Sequence, residues 1–370
     1  MIAEQIKRIT EVVKKEFHQL FRDPRMWRII FVAPVIQLIL FGYAVSTDIK
    51  HTETFVVDYS QSQESRELIN VITASGYFDV AGRSMDINDA VKALDHEEAL
   101  VGVVIPADFV ENLHSTEGAA VQLLLDGSQS NSATVAQGYI ERIVQDYASH
   151  YSAKVDLAIE LRERAWFNPD LASKNYNVPA VSGAIIFLIC LLLTSLAVVR
   201  EREIGTLEQL MVSPLSSFEL IAGKTIPFAL IGLVDVMIVT IAALFWFQVP
   251  FVGNYGLLFL SSLLFIISSL AIGLLISTVS KTQQEAFMSS FLVFMPTILL
   301  SGLMFPISSM PIAFQWLTLL NPMRHYLDIV RGIFLKGSGV IPLWPQYAAL
   351  LIIGLAILAV ASGRFRKQIN

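Results

Sequence analysis

Six stretches of this chain stay apolar over lengths that cross a bilayer, and no other feature constrains its fold as tightly. The hydrocarbon core takes about 20 apolar residues per helix. The spans read as residues 29–47, 178–199, 225–247, 256–279, 286–304 and 345–363. In lipid every backbone N–H and C=O must be satisfied within the protein, so such spans are helical. The predicted fold class is an α-helical polytopic membrane protein with six transmembrane helices, both termini on one side.

Residues 48–177 interrupt that pattern between the first and second spans. This insert holds 21 Asp+Glu against 9 Lys+Arg, while the rest of the chain holds 11 against 17. The chain as a whole is 16% charged, below the usual quarter of a soluble protein, as membrane helices require. Runs at 54–59, 77–81, 100–105 and 121–126 have strand character, with helical runs at 63–74, 87–94 and 108–114 between them. That alternation predicts a small α/β domain. A long helix over 132–166, capped by Ser130 or Asn131, would return the chain to the membrane. The single cysteine, Cys190, lies inside a span, so the insert must be held by its core rather than by a disulfide.

Lys and Arg beside helix ends set orientation. Residues 1–28, the 200–224 loop, Lys281 and the 364–370 tail carry them and share one side under a six-span count. That side is assigned to the cytoplasm, which leaves the insert and residues 305–344 outside. Residues 2–21 place Ile2, Ile6, Ile9, Val13, Phe17, Leu20 and Phe21 at helical spacing among basic residues. This predicts a helix lying on the cytoplasmic surface, against the plainer reading of a solvated lead-in. Residues 1–28 are charged and amphipathic, and no cleavable signal peptide is expected. Residues 305–344 hold short apolar runs broken by Pro306, Pro311, Pro322 and Pro342, which predicts a re-entrant hairpin between spans five and six.

Few residues suggest chemistry. Gly223-Lys224-Thr225 lacks the earlier glycine of a phosphate loop, because Phe218 stands there. Lys224 then reads as an interface anchor. No metal-ligand spacing and no nucleophile–base pairing occurs, so no catalytic, cofactor or metal site is predicted. The loop REREIGTLEQLMVSPLSSFELIAGK (200–224) predicts an amphipathic helix continuing span two to Met211, broken at Ser213-Pro214. Such a helix suits a partner's groove, or is a connector only. Asp235 is an acid in mid-span, either lining a transport path or bonded to a neighbouring helix. Pro296 in span five sets a gate or only a shape. Trp27, Trp246, Tyr255 and Trp344 fit interfacial belts, and Ser261, Ser262, Ser268 and Ser269 favour close helix packing.

These features, taken in order, resemble the permease subunits of ABC-2 type exporters over nearly the whole chain. The resemblance rests on KKEFHQLFRDPRM (14–26), the large insert, LLLDGSQSNSA (123–133) and AWFNPDL (165–171). It rests equally on the 200–224 loop, LLSGLMFPISSMP (299–311) and NPMRHYLDIVRGIFLKG (321–337). The subgroup it is most similar to is the bacterial multidrug-type permeases found beside an ATPase and a membrane-fusion adaptor.

The resemblance implies a bacterial inner-membrane location and two permease subunits, identical or sister. It implies a separate cytosolic ATPase that holds ATP and Mg, and a periplasmic adaptor leading to an outer-membrane channel; no nucleic acid is involved. The N-terminal helix would be the family's connecting helix. Glu201, Glu203, Gly205, Thr206, Leu207 and Glu208 would form the ATPase-coupling interface. Phe305, Pro306, Pro311, Asn321, Pro322 and Arg324 would belong to the outer gate hairpin, while Asp235 matches no family motif. The expected cargo is hydrophobic or amphipathic. Two other readings stand beside export: an ion-coupled carrier using Asp235, and a non-transporting sensor whose outer domain binds a ligand.

Overall fold

A computed structural model describes residues 2–22, 28–44, 51–113, 115, 118–127, 130–151, 167, 172–205 and 216–369. The chain forms two compact units, one of residues 1–46 with 165–370 and one of residues 47–164.

The chain opens with helix α1 (Ile2–Arg22), then a π-helical turn (Arg28–Val32) that runs into α2 (Ala33–Ala44). The inserted unit follows as β1 (Thr52–Asp58), α3 (Gln63–Ala74), β2 (Phe78–Ser84), α4 (Ile87–Asp95), β3 (Val101–Ile105), α5 (Phe109–Leu113), β4 (Gln122–Leu125) and α6 (Ser130–Tyr151). Its sheet has the order β2-β1-β3-β4, with β1 parallel to β2 and β3, and β4 antiparallel to β3. Every residue of β3 is buried, as its unbroken Val/Ile pattern requires of a central strand. Val56, Leu68, Ile72, Phe78, Val103 and Ile140 build the core. Ser62 starts α3 by accepting the Ser65 N–H, and Asp86 starts α4 by accepting the Asn88 N–H. Ser130 and Asn131, expected as caps, lie inside the first turn of α6. The expected continuation of that helix to Trp166 falls outside the described residues.

The second part of the first unit contains α7 (Ser173–Ile204), α8 (Ser217–Phe245), α9 (Tyr255–Val279), α10 (Gln283–Leu299), α11 (Ile312–Thr318), α12 (Pro322–Lys336) and α13 (Val340–Ile369). By length and composition α7, α8, α9 and α13 can each cross a membrane, and residues 30–43 form a shorter apolar helix. Helix α10 is apolar over most of its 17 residues. A helix that is hydrophobic all round is buried on all sides. Helix α7 is such a helix, and it packs against α2, α8, α9, α10 and α12. Phe187, Phe265 and Tyr326 carry that core, with the Phe265 and Tyr326 rings stacked 4.2 Å apart. The Ser262 and Tyr326 hydroxyls share a hydrogen bond of 2.9 Å between α9 and α12. Ser268 Oγ donates to the Leu350 carbonyl and joins α9 to α13.

Several boundaries differ from the sequence reading. Helix α7 closes at Ile204, where Gly205 takes a left-handed φ of +79°, and the rest of the expected helix to Met211 lies outside the described residues. Helix α8 begins at Ser217 and runs without a break into the apolar span. Ser216 and Glu219 form a capping box that starts it there. Helix α10 ends at Leu299, five residues before the expected Met304, and the chain turns at Leu300–Gly302.

Candidate functional site

Helix α1 lies along α8. Val12, Glu16 and Leu20 are its buried stripe, one turn apart, while Ile6 and Phe21 remain exposed. A Cβ added to Gly223 of α8 would lie 2.6 Å from Val12 Cγ1, so the glycine permits this close crossing. That is the physical role of the Gly223-Lys224 pair.

Lys224 is 2% exposed and is not an interface anchor. Its Nζ lies 3.0 Å from Glu16 Oε1 and 2.5 Å from Glu201 Oε2. Lys15 Nζ donates to Glu201 Oε1 at 2.5 Å. Two lysines and two glutamates from α1, α7 and α8 thus form one charge-balanced cluster. One turn towards the start of α8, Arg8 Nη2 sits 2.9 Å from Glu219 Oε1. Removing one member of a buried pair costs about 3–5 kcal/mol, because the remaining charge stays buried.

The last turn of α7 makes two further contacts. Arg202 Nη1 donates to the Ser280 carbonyl at 2.6 Å, at the end of α9. The Glu203 carboxylate accepts the Gln283 N–H at 2.8 Å and the Gln283 side-chain amide as well, at the start of α10. An anion at that position also complements the positive end of α10. Glu201, Glu203 and Gly205 lie at the end of α7, where Glu201 and Glu203 face different helices, and Thr206, Leu207 and Glu208 lie outside the described residues.

The proline-rich segment folds as expected into short helices. Pro306 precedes a 3-10 turn (Ile307–Ser309), and Pro311 precedes α11. Asn321 caps α12 by accepting the Met323 N–H, with Pro322 at the first helical position, and its amide donates to the Thr297 carbonyl of α10 at 2.7 Å. Arg324 bonds the Gln315 carbonyl and the Thr318 hydroxyl. Arg331, which the sequence reading left unassigned, bonds the Gly302 carbonyl at 3.2 Å and stacks 3.7 Å over the Tyr176 ring. Phe305 stays half exposed.

Asp235 is wholly buried in α8, and neither carboxylate oxygen has a hydrogen-bond partner among the described residues. One turn earlier on its helix, Gly232 faces Cys190 of α7 and Ile266 of α9. Pro296 lies on the exposed side of α10. Among the described residues no group of His, Cys, Asp and Glu is placed to hold a metal ion.

Long apolar helices joined to an inserted α/β unit mark a multi-pass membrane protein. The "ABC-2 family transporter protein" model matches residues 24–362. The chain belongs to this family and is a permease of the ABC-2 type. It is 33% identical to the probable multidrug ABC transporter permease YbhR of Escherichia coli K12, covering 98% of this chain and 99% of that protein. It is 31% identical to the probable multidrug ABC transporter permease YbhS of the same strain, over 96% and 95% of the two chains. It is 28% identical to the inner membrane transport permease YhhJ of that strain, over 96% of each.

Proposed function

We propose that this chain is the membrane-spanning subunit of an exporter in the bacterial inner membrane. It moves a hydrophobic or amphipathic cargo outward, and a separate cytosolic ATPase holding ATP and Mg powers it. The observation that carries this reading is the near full-length likeness to permeases named as probable multidrug transporters.

In this reading the six spans of the sequence reading hold, with both termini cytoplasmic and the inserted unit outside. The insert meets a periplasmic adaptor that leads to an outer-membrane channel. Two permease subunits, identical or sister, form the core. Residues 200–224 receive the ATPase, with Glu201, Glu203, Gly205, Thr206, Leu207 and Glu208 at the coupling region. Asp235 and Pro296 belong to the translocation path, and 305–344 forms the outer gate. ATP binding closes the partner, the loop moves, and packed helices shift as bodies.

The test is co-purification of the membrane-extracted chain with the ATPase encoded beside it, comparing wild type with Glu208→Arg. ATPase recovered per permease should fall in the variant while the size-exclusion profile is unchanged. A well-folded wild type that recovers no ATPase would contradict the reading.

A further inference from the structure

Glu201, Arg202 and Glu203 occupy consecutive positions in the last turn of α7, and each holds a different neighbour. Consecutive helical side chains point about 100° apart, so three in a row fan out around the helix. Glu201 takes Lys15 of α1 and Lys224 of α8. Arg202 takes the carbonyl that ends α9, and Glu203 takes the first N–H of α10. The contacts reach backbone groups at the ends of α9 and α10, where helices leave donors and acceptors unsatisfied. They therefore fix helix ends and not only side chains. Gly205 closes the helix immediately afterwards.

We propose that Glu201, Arg202 and Glu203 are positioning residues that splice the feet of α1, α8, α9 and α10 to α7. A displacement that reaches the last turn of α7 then moves all five helices as one rigid body instead of bending α7 alone. The proposal rests on the reading of residues 200–224 as the ATPase-receiving segment. Two observations set it apart from direct contact with the ATPase. The Glu201 side chain is 8% exposed, so it is turned away from any docking partner. Among the described residues Lys15, Glu16, Glu201 and Lys224 also pair with one another, two cations against two carboxylates.

The experiment uses the full permease–ATPase complex in lipid vesicles. Glu203→Ala and Gln283→Ala should each lower cargo moved per ATP by about fivefold or more, and the double variant should do no worse than either single one. ATPase recovered per permease should stay at the wild-type level in Gln283→Ala, whose residue lies outside the 200–224 segment. Loss of ATPase recovery in Glu203→Ala but not in Gln283→Ala would make Glu203 a contact residue and overturn the splice. A second pair, Glu203→Cys with Gln283→Cys, is joined by a short reducible thiol crosslinker; the native Cys190 is buried. Export should persist when the pair is joined, since its members move together. Arrest on crosslinking, reversed by reductant, would show that α7 and α10 part during the cycle and would overturn the proposal. Wild type without ATP-dependent export would instead remove the exporter reading. The splice is then read from hydrogen exchange at the start of α10, which should quicken in Glu203→Ala; unchanged exchange would overturn it.

Discussion

Lys224 Nζ lies 2.5 Å from Glu201 Oε2 in a site that excludes water from both side chains, joining the start of α8 to the end of α7. With Glu16 of α1 at 3.0 Å, this lysine is where three chain segments distant in sequence meet.

Lys224→Met leaves Glu16 and Glu201 buried with one cation between them, so it should destabilise the protein by about 3–5 kcal/mol. Glu16→Met combined with Lys224→Met removes a whole pair and leaves Lys15 with Glu201. The double variant should therefore be more stable than Lys224→Met alone. Thermal unfolding of the protein in lipid nanodiscs checks the order.

Gly223→Ala places a methyl group 2.6 Å from Val12 Cγ1 and 2.7 Å from Val12 Cβ. Overpacking of this kind costs about 1–3 kcal/mol. Val12 is carried on α1, so the strain is relieved by lifting that helix. Amides of residues 8–20 should exchange faster in the variant while those of α9 stay unchanged, as read by hydrogen exchange with mass spectrometry.

Among the described residues Asp235 has no partner for either oxygen, a destabilising arrangement for a polar group in an apolar core. Asp235→Leu should leave the melting temperature equal or higher. On the proposal that the residue lines the translocation path, export per ATP should fall about fivefold or more. A variant that exports normally would reduce Asp235 to a packing residue.

In the inserted unit, the Ser84 hydroxyl donates to Asp89 at 2.7 Å and holds that carboxyl below its usual range. A carboxyl lowered on folding contributes stability above its unfolded value, and that contribution is lost as pH falls through its folded value. Acid should therefore weaken the unit, and Ser84→Ala should blunt that dependence. Urea unfolding of the full chain between pH 7 and 3, followed by exchange of 78–95, checks the direction.

The parts of this fold legible in the sequence are those fixed by local chemistry. Helix α3 matches its expected bounds because Ser62 supplies a cap and Gly76, at a φ of +73°, turns the chain away after it. The hairpin prolines mark its short helices because proline suits only a first helical turn. The closure of α7 at Ile204 was not legible, because it depends on the left-handed conformation of Gly205 inside an otherwise helical pattern. Lys224 was misread because its partners lie far away in sequence. Glu16 carried the one available sign: it stands between Val12 and Leu20 on a buried stripe, where an acid needs a cation. Glu203 as the clasp on Gln283 had no sequence signal, since the contact spans 80 positions and joins two helix ends.

The most direct measurement is ATP-dependent cargo movement by the purified permease–ATPase complex in sealed vesicles, using a fluorescent amphiphile as probe. The control is a partner ATPase unable to hydrolyse ATP. The account predicts uptake into inside-out vesicles that requires ATP and disappears with the inactive partner. Equal uptake with both partners, or uptake driven by an imposed proton gradient without ATP, would contradict it.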